Sequence, residues 1–178
     1  DLKSANRKIC TNLLGLTLDI LLKWLAPILS FTTEEIFQII NVKKNSSIHL
    51  ENFPKIPSNW ENKVLYEKWE KLKMIRNVVN AGIEIKRSSK VIGSSLEADI
   101  EIYLGEEYLK LVDDINLSEY FITSKAQVKT MIDDDKIFKL EHIFNVGVIV
   151  KKAKGEKCSR CWKVLENPCD RNNCGLKN

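Results

Sequence analysis

Four of the five cysteines in this 178-residue chain crowd into its last stretch, GEKCSRCWKVLENPCDRNNCGLKN, as Cys158, Cys161, Cys169 and Cys174. A segment of that length cannot bury a core of its own, so something other than apolar packing must hold it folded. Cys158-x-x-Cys161 brings two thiolates onto one side of a tight turn, and a second pair would complete a tetrahedron at metal–sulfur distances of about 2.3 Å. Cys169 and Cys174 supply that pair, with four residues between them where a ribbon knuckle usually has two. Three other readings compete. Disulfides suit a secreted protein, but no secretion signal is visible, and they would leave Cys10 unmatched. A redox CxxC belongs at the start of a helix in a thioredoxin-like βαβ unit, a pattern not found here. The fourth reading is an incomplete, empty site. We favour one structural zinc ion. Cys10, on the first apolar helix, reads as a buried apolar residue.

Charge gathers in the same place. Residues 151–178 carry eight Lys/Arg against three Asp/Glu, whereas the other 150 residues carry 20 against 21. Closing four thiolates on a dication leaves this patch positive, so metal and polyanion binding are compatible. A lysine-rich, solvated tail would look the same by charge alone. Trp162 follows the second cysteine directly; it is placed to stack on a nucleobase or to cap the metal site as an apolar lid.

The rest of the chain divides by texture into an α+β protein. Ile9, Leu13, Leu16, Ile20 and Trp24 recur at helical spacing, and intervening leucines widen the stripe until burial between helices is expected. Asp19, Lys23 and Pro27 interrupt the apolar run 13–29, which argues against a membrane span. Thr32 and Glu35 have capping-box spacing for a second helix, and Ser58 and Glu61 repeat it before a long amphipathic helix through Leu65, Trp69, Leu72, Ile75, Val79 and Ile83. Residues 48–53 read as short and extended. Ala98, Ile100, Ile102 and Leu104 alternate with Asp99, Glu101 and Tyr103 as a half-buried strand. A short helix over 106–112, weak strands over 120–122 and 126–128, an exposed Asp133–Asp135 turn and a buried strand over 144–150 complete the pattern. The expected layout is a helical bundle over 1–88, a small mixed α/β unit over 89–152 and a zinc ribbon over 153–178.

Catalytic groups are scarce. His49 and His142 have no evident nucleophile or acid partner, and the sequence holds no glycine-rich phosphate loop. The chain starts at Asp1, which fits a processed start or a piece of a longer protein.

Several stretches resemble one family. WLAPILSFTTEEIF (24–37) is similar to the anticodon-binding signature of class I synthetases for isoleucine, valine and leucine. SIHLENFP (47–54), Arg76 to Asn80 with KVIGSSLEADIEIY (90–103), and GEKCSRCWKVL (155–165) resemble, in the same order, the C-terminal part of the bacterial-type isoleucyl-tRNA synthetases. The resemblance implies a noncatalytic, anticodon-binding segment of a cytoplasmic, monomeric ligase that couples ATP to charging of isoleucine tRNA. It implies zinc on Cys158, Cys161, Cys169 and Cys174, with ATP and magnesium confined to a catalytic domain whose HIGH and KMSKS signatures do not occur in these residues. For RNA contact we take Arg76, Lys90, Arg160, Trp162 and Lys163, since phosphates reward Lys/Arg and unstacked bases reward aromatic rings. DNA and membranes are not expected partners. Two alternatives stand beside this: the zinc-finger module of a DNA-repair glycosylase, whose N-terminal Pro-Glu is missing here, and a structural zinc-capped helical domain that binds no nucleic acid.

Overall fold

A computed structural model describes residues 5–41, 46–167 and 169. The chain divides into two compact units, Asp1–Glu61 and Asn62–Asn178.

In the first unit, α1 (Ala5–Leu25) and α2 (Ser30–Ile40) pack around Leu22, Ala26 and Phe37, with Ile48 closing the cluster. α2 begins two residues before the expected cap. Its N-cap position is Leu29, without a side-chain bond, and the Thr33 hydroxyl donates back to the Leu29 carbonyl at 2.9 Å. Residues 48–50 form a single 3₁₀ turn instead of an extended segment. Glu34 fixes it: its carboxylate accepts from the Ser47 hydroxyl at 2.8 Å and from the Ile48 amide at 2.9 Å. The hydrogen bonds of Gln38, Ser47 and Ile48 to Glu34 hold its carboxyl below the ordinary glutamate value. The expected burial of α1 is not seen. Ile9, Leu13, Leu14 and Trp24 stay half or more exposed, because α2 and one short turn cannot cover so wide a stripe on 21 residues of helix. Cys10 is likewise exposed and not buried.

The second unit opens with α3 (Lys63–Ser88). Its cap is Asn62, whose side chain accepts from the Leu65 amide, and not Ser58, which lies in a separate 3₁₀ turn. A three-stranded sheet follows in the order β2-β1-β3, from β1 (Ala98–Leu104), β2 (Lys125–Thr130) and β3 (Val146–Lys152). β1 pairs parallel with β2 and antiparallel with β3. The parallel crossover runs through α4 (Glu106–Val112) and a single turn, α5 (Leu117–Tyr120). Where the sequence suggested a weak strand over 120–122, residues 121–122 form a turn and Tyr120 is the last residue of α5. Asn116 caps it and wins over the β-forming aromatic and branched residues.

One face of β1 and β3 is apolar: Ile100, Ile102 and Leu104 beside Val146, Val148 and Val150. α3 lays Leu72, Ile75, Val78, Val79 and Ile83 in the same cluster. The long helix, grouped with the helical half in the sequence reading, therefore belongs to the sheet's core. Gly82 marks the closest approach, since a Cβ there would sit 2.6 Å from Val148 Cγ1.

On the opposite face Glu101 ties three strands together, pairing with Lys151 of β3 at 2.7 Å and Lys129 of β2 at 3.1 Å. The Lys151 hydrogen bond, aided by Lys129, holds the Glu101 carboxyl below its usual range despite the opposing effect of desolvation. A carboxylate whose folded pKa is depressed stabilises the fold above its unfolded pKa, and that contribution fades as pH falls through the folded value. Glu101→Gln should therefore lower the urea midpoint at neutral pH and flatten its decline as pH falls below the ordinary glutamate range, as read from denaturation curves at neutral and acid pH.

Candidate metal centre and nucleic-acid interface

β4 (Glu156–Lys157) and β5 (Val164–Leu165) form a two-stranded antiparallel ribbon, and the turn between them carries the CxxC. Its backbone is closed twice: the Cys158 amide donates to the Lys163 carbonyl and the Trp162 amide to the Cys158 carbonyl, each at 2.9 Å. Trp162 takes up left-handed backbone, φ 62°, to complete the turn. Gly155 enters the ribbon at φ 112°, where a Cβ would lie 2.0 Å from the Leu165 carbonyl oxygen, so no other residue fits.

This turn brings the sulfurs of Cys158, Cys161 and Cys169 within 4.8 Å of one another. None of the described cysteines is in a disulfide. Cys161 Sγ and Cys169 Sγ lie 3.7 Å apart. A tetrahedron with metal–sulfur bonds of about 2.3 Å has sulfur–sulfur edges of about 3.8 Å, so that separation is one a zinc thiolate site requires. Cys158 is 1% exposed, as suits a closed structural site instead of an open catalytic one. The donor set and its spacing fit a metal. Cys174 lies outside the described residues.

The ribbon is fastened to the sheet unit. Ser124 Oγ, just before β2, accepts from the Val164 amide at 2.6 Å and donates to the Leu96 carbonyl. The Ala153 amide donates to the Glu97 carbonyl at 2.8 Å, and Lys163 Nζ to the Ser118 hydroxyl at 3.1 Å. Ser124 is 7% exposed, so Ser124→Ala leaves the Val164 amide without that acceptor. We expect a cost of about 1–3 kcal/mol and faster hydrogen exchange at Val164.

The five RNA-contact candidates separate into groups. Arg76 lies on α3 with its guanidinium 5.1 Å from the centre of the Tyr120 ring. Lys163 reaches α5 from the ribbon. Arg160 and Trp162 are exposed on the knuckle, Trp162 at 60%, which leaves much of its indole open to solvent. Lys90, also in left-handed backbone at φ 59°, follows the C-terminus of α3, which ends roughly 18 Å of helix beyond Arg76. The structure thus gathers Arg76 and Lys163 around α5 and does not bring Lys90 to them. Ser118, Tyr120 and Ser124 were missed in sequence. Asn116 and Glu119 have N-cap and N3 spacing that could have located α5; nothing local marks Ser124.

Residues 1–102 match the family described as the anticodon-binding domain of tRNA ligase. The chain belongs to this tRNA-ligase anticodon-binding family. It is 44% identical over 168 residues to the isoleucine–tRNA ligase of Pelagibacter ubique, covering 94% of this chain and 17% of that protein. It is 36% identical over 168 residues to the isoleucine–tRNA ligase of Rhodopseudomonas palustris, covering 92% and 17%. The Bradyrhizobium diazoefficiens isoleucine–tRNA ligase is 38% identical over 164 residues, covering 92% and 16%. The chain therefore spans about a sixth of the length of these curated relatives. The matches extend past the anticodon-binding domain and favour the ligase reading over the DNA-repair alternative. Among the described residues no helix is long and apolar enough to cross a membrane.

Proposed function

We propose that this chain is the C-terminal tRNA-binding segment of an isoleucine–tRNA ligase. It grips the anticodon end of isoleucine tRNA while a catalytic domain outside these residues uses ATP and magnesium to charge the tRNA, in the cytoplasm. The match of residues 1–102 to the anticodon-binding family carries this reading, and similarity to isoleucine–tRNA ligases over more than nine-tenths of the chain supports it. Cys158, Cys161 and Cys169, with Cys174 as the fourth thiolate, hold one zinc ion that keeps the ribbon folded. Arg76 and Lys163 contact phosphates, and Trp162 stacks on an exposed base. Arg160 and Lys90 add positive charge at the knuckle and beyond the end of α3.

Binding by the zinc-loaded chain tests this. It should retain isoleucine tRNA, lose affinity steeply with salt, and bind the same tRNA with a replaced anticodon loop at least tenfold more weakly. Equal binding to both RNAs at moderate salt would overturn the assignment of specificity.

A further inference from the structure

Several lysines of the sheet unit are neutralised by carboxylates. Lys68 pairs with Asp114, Lys73 with Glu70, and Lys129 and Lys151 with Glu101. Arg76 and Lys163 differ. Among the described residues neither has a carboxylate within 4 Å, yet each is held by a neutral partner on the same turn, α5.

The two contacts are built in different ways. The Tyr120 ring is wedged between Trp69, with centroids 5.6 Å apart, and Phe121, at 5.0 Å. Phe121 is 2% exposed and belongs to the core cluster, so the face that Tyr120 offers to Arg76 is set by the core. Ser118 is set by the helix cap. Its hydroxyl donates to Asn116 Oδ1 at 3.0 Å, which commits the proton and leaves a lone pair for Lys163 Nζ. Lys163 also accepts the Cys158 amide through its carbonyl, so the same residue joins the metal turn to α5. Ser118 and Tyr120 are two positions apart and face different sides of the turn, so the two cations flank it.

A carboxylate partner would hold these cations equally well but would cancel their attraction for phosphate. A ring face and a hydroxyl restrict the side chain and leave its full charge for an anion. We propose that Tyr120 and Ser118 are positioning residues that hold Arg76 and Lys163 for two phosphates of one RNA strand running across α5. The proposal rests on the tRNA-binding reading above.

The test is binding of the zinc-loaded chain to isoleucine tRNA at several salt concentrations, with folding and metal content checked for each variant. Tyr120→Leu should weaken binding about three- to tenfold and Ser118→Ala about two- to fivefold. Each should lower the slope of log affinity against log salt by up to about 0.7–0.9, the change for one lost phosphate contact. Tyr120→Phe and Ser118→Thr, which keep the ring and the hydroxyl, should bind like the parent chain. In a Lys163→Gln background Ser118→Ala should cost nothing further, and in an Arg76→Gln background neither should Tyr120→Leu. Additive losses, or unchanged slopes in folded variants, would overturn the positioning role while leaving the tRNA-binding reading intact. If Tyr120→Leu or Ser118→Ala fails to fold, slopes unchanged in Arg76→Gln and Lys163→Gln would overturn it instead. A parent chain that does not bind isoleucine tRNA at any salt would overturn both.

Discussion

Replacing Cys158 with serine should empty the metal site and unfold the ribbon, while Cys10→Ser should leave both metal content and stability unchanged. Cys158 is the most buried of the described thiols, at 1% exposure, and it is braced by backbone bonds to Lys163 and from Trp162. Among the described residues the ribbon has no apolar core of its own. Its two strands are two residues each, and its side chains at Val164 and Leu165 are only half-buried. On the zinc reading, metal binding supplies most of its folding energy, on the order of 10 kcal/mol in isolated zinc modules. Losing one thiolate of such a set should weaken metal affinity more than the 10–100-fold typical of changes in the groups that only orient the ligands. Metal analysis after dialysis checks the first claim, and hydrogen exchange at Val164 and Leu165 checks the second. Cys10 is exposed on α1 in the other compact unit, which makes its variant the control. Full metal retention by Cys158→Ser would remove the zinc reading. Because β5 is also pinned by Ser124, the variant should keep the three-stranded sheet, and its loss would be confined to the residues after Ala153.

What the sequence disclosed follows from how local each signal is. The alternation over 98–104 needs only the period of a strand, and β1 occupies those residues. α4 over 106–112 and the long stripe of α3 were readable for the same reason. Caps were read less well, because several polar residues near a helix start can compete. Thr32 and Ser58 had the right spacing, but Thr33 turned its hydroxyl back onto Leu29, and Asn62 stood one residue from the true start of α3. The cysteine cluster was legible as chemistry, and folding brings Cys169 to Cys161 despite the longer spacing to Cys174. Ser118, Tyr120 and Ser124 could not be recognised, since their roles exist only through partners 40 or more residues away in sequence: Lys163, Arg76 and Val164. The exposed stripe of α1 shows the reverse limit. Periodicity reports that a face is apolar but not what covers it.

Ile75→Ala should cost the sheet unit about 2–5 kcal/mol, with a melting temperature lowered by roughly 10 °C or more. Ile75 is fully buried among Leu72, Val78 and Val79 on the helix side and the valines and isoleucines of β1 and β3 on the other. That core cannot collapse to fill the gap. Gly82 already brings the helix close enough that one more carbon would meet Val148, and the strands are fixed by their ladders and by Glu101 beneath. Val64, on the first turn of the same helix and 79% exposed, provides the comparison: Val64→Ala should change stability by no more than about 0.5 kcal/mol. The pair decides where α3 belongs. If α3 were a member of a helical bundle with the first 61 residues, its cost would not be read in the sheet. If it is the sheet's own cover, Ile75→Ala should speed hydrogen exchange along β1 and β3, from Ile100 to Leu104 and Val146 to Val150, while the α1–α2 amides exchange as before. Equal costs for Ile75→Ala and Val64→Ala would mean that the helix does not pack on the sheet. The platform from which Arg76 meets Tyr120 would then be lost with it, because that contact exists only while α3 is seated on the strands that α5 joins.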